Sequence, residues 1–204
     1  MEQYKQLTLE KLEYKNNSIN NSLNFNNEQE QIILGSLLGD GCIHKDKKGF
    51  YHYYEDHNIK QEKYLLWKNK FLNFIFNYKK LNLCRINKGD KKFKYYYNLF
   101  YPNGKKIVTR EILDMLKSLA LCCWHCDDGS YFYYHPIIRL YTQCFGLEGN
   151  QIIQQYFKEK WDIDCKIRKM KGKWGYIRGR KIKNIIPITY YLRFDCENTK
   201  KFVE

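Results

Sequence analysis

Two nine-residue segments constrain this chain more than any other feature: Ile33-Leu34-Gly35-Ser36-Leu37-Leu38-Gly39-Asp40-Gly41 and Leu121-Cys122-Cys123-Trp124-His125-Cys126-Asp127-Asp128-Gly129. Each is an apolar run of helical length that closes on Asp-Gly. A glycine there predicts a helix C-terminus, since glycine enters the positive-φ region without steric cost. The segments downstream of the two Asp-Gly pairs are also alike. Residues 41–57 and 129–145 read as paired strands rich in Tyr, Phe, His and Ile, and helical patterns come next over 61–76 and 148–161. Then Leu83-Cys84-Arg85-Ile86-Asn87-Lys88 matches Asp164-Cys165-Lys166-Ile167-Arg168-Lys169. Each opens a hairpin-like segment, over 83–100 and 165–195. Such ordered agreement predicts an internal duplication, two copies of helix–strands–helix–strands.

Ahead of the repeats, residues 3–14 suit a short charged helix and 16–27 an Asn/Ser-rich linker, so the compact part begins near Glu28. At 204 residues, 44% hydrophobic and 17% aromatic, the chain can bury a real core, which excludes wholesale disorder. No apolar window reaches the roughly 18 residues of a spanning helix, and no membrane partner is expected. The N-terminus reads as neither a secretory signal nor a transit peptide. Lysine and arginine number 36 against 22 acids, a net charge of +14, which points to a polyanionic partner. Eight cysteines without a signal peptide suggest reduced thiols in an intracellular compartment. Cys123-Trp124-His125-Cys126 has the spacing of half a zinc site, but no second pair accompanies it, and small packing residues are the simpler reading. The Lys-, Asn-, Ile-, Tyr- and Phe-rich composition suggests AT-rich coding, as in an organelle, a phage or some bacteria.

The aspartates carry the chemistry. Gly35 and Gly39 share a helix face and would let a second backbone approach closely; the aligned residues of the second segment are Cys123 and Asp127. If the two helices pack in parallel, Asp40 and Asp128 converge where both helix dipoles are already negative. Such an arrangement raises a carboxyl pKa unless a cation relieves it. Mg²⁺ suits one or two carboxylates plus water and phosphate oxygens, the chemistry of phosphodiester hydrolysis.

With both segments in one polypeptide, and with the wording Leu119-Ala120-Leu121…Asp127-Asp128-Gly129-Ser130, the chain resembles the LAGLIDADG homing endonucleases of the two-motif, intron-encoded type, from about residue 28 to its end. Cys122, Cys123, His125 and Cys126 stand where aromatic or aliphatic residues are more usual. The resemblance implies an α+β fold of two pseudo-symmetric αββαββα halves, here 28–117 and 118–204 after an extension over 1–27. The motif helices would form the interface between halves, and antiparallel sheets a saddle over DNA. It also implies a monomer with an internal pseudo-two-fold axis, and a site-specific double-strand endonuclease in which Asp40 and Asp128 bind Mg²⁺ (or Mn²⁺). Lys106 takes the role of the basic catalytic residue at the active-site periphery, with Lys105 as the alternative. The second half ends inside a predicted helix, 197–204, so a truncated second half stays open and no equivalent basic residue is assigned there.

Lys79–Lys94 holds seven basic residues and one acid, and Lys166–Lys183 nine basic residues and no acid, both on the predicted second hairpins. Phosphate contacts fall mainly to lysines, among them Lys45, Lys88, Lys91, Lys92, Lys166, Lys169 and Lys171. Base readout falls to Arg85, Asn87, Arg139, Gln143, Arg168, Arg178 and Arg180, with Tyr141 beside them. Two other readings use the same basic scaffold: a maturase that binds its host intron RNA, and a catalytically decayed DNA-binding protein. The retention of both acids favours the nuclease. Composition and family habit together suggest a mitochondrial location.

Overall fold

A computed structural model describes residues 25–73, 75–77, 83–86, 91–170, 175–177, 180–182 and 188–204. The predicted helix over 3–14 lies outside them, as does most of the predicted linker. The compact part starts where expected. Helix α1, Asn27–Leu38, is opened by a reciprocal capping box: Asn26 accepts from the Gln29 amide while the Gln29 side chain accepts from the Asn26 amide.

Strands β1 (Cys42–Lys45) and β2 (Tyr51–Asp56), helix α2 (Glu62–Leu72), strands β3 (Ile75–Asn77) and β4 (Leu83–Ile86) and helix α3 (Lys91–Phe100) complete a first αββαββα unit. A short helix α4, Arg110–Asp114, leads to α5, Ser118–Asp128. Strands β5 (Gly129–Phe132) and β6 (Ile137–Leu140), helix α6 (Gly146–Trp161), strands β7 (Lys166–Met170) and β10 (Thr189–Arg193), and helix α7 (Cys196–Val203) repeat the pattern. A separate antiparallel hairpin, β8 (Gly175–Ile177) with β9 (Arg180–Ile182), sits in the connection between β7 and β10.

The two sheets are antiparallel and share one topology: β1-β2-β4-β3 in the first, β5-β6-β10-β7 in the second. The expected α+β fold of two related halves is therefore present. Between the halves α1 packs along α5, and α1 is buried on all sides from Gln31 to Leu38. A helix apolar all round needs partners all round. Gln31 fixes the axial position of the pair: its amide donates to Met115 O at 3.0 Å, and its carbonyl accepts from the Lys117 amide, next to the start of α5, at 2.7 Å.

Several sequence expectations need correction. Helix α2 stops at Leu72 rather than running to 76, because Asn73 adopts the left-handed conformation (φ 52°, ψ 53°) and the chain turns into β3. Residues 91–100 are helical, not part of a hairpin. Phe93, Tyr96, Tyr97 and Phe100 have i, i+3, i+4, i+7 spacing, and that period overrides the strand preference of the aromatic residues. Strand β6 ends at Leu140, and Gln143 opens a 3₁₀ turn over Gln143–Phe145 instead of continuing the strand. The motif glycines Gly41 and Gly129 do not take positive φ. They provide clearance: a Cβ on Gly41 would stand 2.7 Å from Tyr53 Oη, and one on Gly129 would collide with the His125 ring.

Candidate active site

Packing of α1 on α5 is close because α1 has no side chain at the crossing. A Cβ on Gly35 would collide with Ala120 O and stand 2.8 Å from Cys123 Cβ; one on Gly39 would collide with Asp127 Cβ. The four residues expected at the interface, Gly35, Gly39, Cys123 and Asp127, thus face one another. Cys123 is buried there, while Cys122 and Cys126 are exposed.

This packing brings the two motif ends together. Asp40 comes just after the α1 cap, with its side chain about one-third exposed (35%); Asp128 ends α5. Burial pushes the Asp128 carboxyl up to about 7, and the charges of Asp40 and Asp127 push the same way. Burial also raises Asp40, with His57 and Lys68 opposing. Among the described residues no hydrogen bond reaches the Asp128 carboxylate. Lys106 lies close but donates instead to two backbone oxygens, Gly39 O at 3.1 Å and Gly41 O at 2.8 Å, on either side of Asp40. Burial lowers its amine below the ordinary lysine range. Lys105 is exposed. Two carboxylates that repel each other, with the nearest amine committed elsewhere, form a donor set that fits a hard divalent cation.

Beneath Asp40 lies a buried ionic cluster that the sequence did not lead us to expect. Lys68 is fully buried and donates to Ser36 Oγ (2.7 Å), Glu55 Oε2 (3.0 Å) and Asp127 Oδ1 (3.0 Å). Tyr53 Oη donates to Glu55 Oε2 at 2.7 Å and Tyr64 Oη to Asp127 Oδ1 at 2.8 Å. His57 Nδ1 lies 3.5 Å from Asp40 Oδ2, and its Nε2 lies 3.8 Å from Glu55 Oε2 and 4.0 Å from Asp127 Oδ1. Burial opposes the charge on Lys68, but Glu55 and Asp127 outweigh it and its pKa rises. One ammonium serves two carboxylates. Burial would raise Glu55 too, yet His57 and Lys68 hold it below its usual range. Asp127 is pushed up to about 6, by burial first and then by Glu55. For His57 burial is overcome by Glu55, and the imidazole pKa is raised. A signal for this cluster was available: Tyr51, Tyr53 and Glu55 alternate on the buried parity of β2, and Lys68 falls on the apolar stripe of α2 between Leu65 and Leu72.

The strand registers show what each sheet presents. In the second sheet Ser130, Arg139, Arg193 and Lys166 are successive cross-strand partners, with Tyr191 opposite Arg168 on the same parity. The other parity carries Leu140, Leu192 and Ile167 toward the helices. Arg139 lies over the Phe132 ring at 4.4 Å. Arg193, which sequence reasoning missed, completes this basic row; it had no neighbouring basic cluster to draw attention to it. Tyr141 directly succeeds β6, its amide bonded to Asp128 O at 2.8 Å. Lys169 is exposed on the opposite parity of β7. In the first sheet Cys42, Tyr54 and Arg85 form one row, His44 and His52 the next, and Lys45 is exposed at the end of β1. Lys91 and Lys92 open α3, and Arg180 starts β9. Asn87, Lys88, Lys171 and Arg178 lie outside the described residues.

Comparison with known proteins agrees with this architecture. The LAGLIDADG DNA endonuclease family matches residues 30–185, most of the chain, and the chain belongs to that family. An intron-encoded endonuclease, ai4, of Dictyostelium discoideum is 32% identical over 48% of this chain and 63% of its own length. The cytochrome b mRNA maturase bI2 of Debaryomyces hansenii is 27% identical over 72% of this chain and 63% of its length. A RecA protein of Mycolicibacterium flavescens is 32% identical over 51% of this chain, and the match spans only 26% of that protein. Among solved structures, the homing endonuclease I-WcaI bound to its DNA recognition sequence superposes with a TM-score of 0.68 at 18% identity, covering 87% of this chain and 80% of that one. Among the described residues no helix is long and apolar enough to cross a membrane.

Proposed function

We propose that this chain is a site-specific, divalent-metal-dependent endonuclease that hydrolyses both strands of double-stranded DNA and so mediates intron homing. The observation that carries the reading is the meeting of Asp40 and Asp128 at the ends of two packed helices, where the charge of Asp40 raises Asp128 and, among the described residues, no hydrogen bond reaches the Asp128 carboxylate. In this reading the two halves, residues 28–117 and 118–204, each supply one acid. Asp40 and Asp128 hold Mg²⁺ or Mn²⁺, which when bound supplies Lewis acidity and an activated water at the scissile phosphate. Lys106 acts as a positioning residue, clamping the backbone on both sides of Asp40. The row Arg139–Arg193–Lys166, with Arg168, binds the duplex, and the chain works as a monomer. A mitochondrial setting is in keeping with the composition and with relatives named as an intron-encoded endonuclease and a cytochrome b mRNA maturase.

The test is incubation of the purified chain and Mg²⁺ with a plasmid carrying the intronless copy of the host gene. The expected result is a double-strand break at one mapped site. Asp40→Asn or Asp128→Asn should lower cleavage at least about a thousandfold with DNA affinity kept within a few-fold. Cleavage that survives both substitutions overturns the reading. A second role, RNA maturation of the host intron, is favoured by the relative named as a cytochrome b mRNA maturase, which aligns over 72% of this chain. Splicing assistance that persists in the two Asn variants would show both roles in one chain.

A further inference from the structure

His57 is buried among three carboxylates without forming a hydrogen bond to any of them. Its side chain is 0% exposed, and neither ring nitrogen has a hydrogen-bond partner. Tyr64 packs edge-on against the ring at 5.6 Å and holds its plane. The nearest acceptors, Asp40 at 3.5 Å, Glu55 at 3.8 Å and Asp127 at 4.0 Å, lie within ion-pair range but beyond a formed hydrogen bond, which leaves room for an occupant between the ring and the carboxylates. Lys68 does not fill it, because Ser36, Glu55 and Asp127 take its protons.

Donor atoms of Asp40, His57 and Asp127 all lie within 4.8 Å of one another. Asp127 accepts from Tyr64 and Lys68, which leaves lone-pair capacity for one more partner. The partly exposed Asp40 carboxylate provides the entry path. We propose that Asp40, His57 and Asp127 form a mixed nitrogen–oxygen site for a first-row transition-metal dication such as Mn²⁺, Co²⁺ or Zn²⁺. Imidazole suits Zn²⁺ and its neighbours in the row, the carboxylates also suit Mn²⁺, and Mg²⁺ takes oxygen donors only. Among the described residues the second half has no counterpart. Extending the strand register from the motif glycines sets Thr142 at the position of His57, and its hydroxyl already donates to Asn150 Oδ1 at 2.5 Å. The site shares Asp40 with the proposed cleavage centre, through the oxygen that faces His57, and does not require cleavage to exist.

The experiment uses the full, DNA-free chain, Mn²⁺ as probe, equilibrium titration for affinity and pulsed EPR for nitrogen coupling. The wild-type chain should show imidazole-nitrogen coupling that excess Mg²⁺ does not remove. His57→Gln should abolish the coupling and weaken that Mn²⁺ at least tenfold; Asp127→Asn should weaken it similarly. If His57→Gln fails to fold, Asp40→Asn replaces it, with the same tenfold loss expected. Absence of nitrogen coupling in the wild type overturns the site, as does coupling that persists in folded His57→Gln. Asp128→Asn separates the two proposals: it should stop cleavage and leave the nitrogen coupling in place, and loss of that coupling in Asp128→Asn also overturns the site.

Discussion

The two halves share one strand order and differ in what they bury beneath the motif acid. Where β2 places Tyr53, Glu55 and, just past its end, His57, the extended register of β6 places Ile138, Leu140 and Thr142. Helix α2 buries Lys68 under Asp40; α6 buries Gly149, Asn150, Ile153, Tyr156 and Phe157 and no charge. The described outer faces differ too. The second sheet carries Arg139, Arg193, Lys166 and Arg168 in register, whereas β1 and β2 carry His44, His52 and Tyr54 on the corresponding face, with Arg85 of β4 next to Tyr54. A duplicated backbone therefore does not imply duplicated chemistry. Among the described residues, the first half alone buries an ionic cluster beneath its motif acid.

The largest expected effect attacks the interior. Lys68→Met should destabilise the protein by about 3–5 kcal/mol in chemical denaturation, because it takes from Glu55 and Asp127 the ammonium bonded to both and leaves only the more distant His57 near them. Importing the second half's solution, Glu55→Leu with Lys68→Met, should recover part of that loss through a coupling of about 2 kcal/mol. If the two losses simply add, the cluster does not act as one unit.

The pH dependence sharpens the same contrast. Glu55 is held below its usual range, so its contribution is present at neutral pH and is lost as pH falls through its folded pKa. Asp128 has the opposite sign. At about 7 in the folded chain, against an ordinary value of about 3.9, it keeps a proton that the unfolded chain releases. Without metal, its contribution should therefore lower stability as pH rises from about 4 to about 7 and level off above. Asp128→Asn should remove that slope and raise the melting temperature at pH 8 by roughly 5 °C, measured in chelator. An unchanged slope would place Asp128 in ordinary solvent. The smallest effect lies outside: Arg193→Ala should weaken DNA binding by about 1–3 kcal/mol and reduce the salt slope by about one, with His52→Ala nearly silent. Equal effects of the two would erase the contrast between the outer faces.

Much of the fold was legible because the motif helices and first strand pairs recur in order; the match of 83–88 with 164–169 was misplaced, since β4 lies inside its sheet where β10 is its counterpart and β7 lies at an edge like β3. The meeting of Asp40 and Asp128 was foreseeable because small residues at Gly35 and Gly39 demand a close partner. The cluster of Glu55, His57, Lys68 and Asp127 was harder to read, since each member is a polar residue that usually sits at a surface; the parity of β2 and the stripe of α2 were its signal, and they run against composition. Residues 91–100 misled in the other direction, their aromatic content favouring a strand while their spacing gave a helix.

The bonds of Gln31 to Met115 and Lys117 have a mechanical consequence. Two smooth helix faces lined by small residues could slide along each other by a fraction of a turn at little cost in contact. An amide that grips the backbone just ahead of the other helix opposes that freedom and acts as a gauge block between the two motif ends. The spacing of Asp40 from Asp128 is then set at the far end of both helices, by a residue that need never touch a nucleic acid.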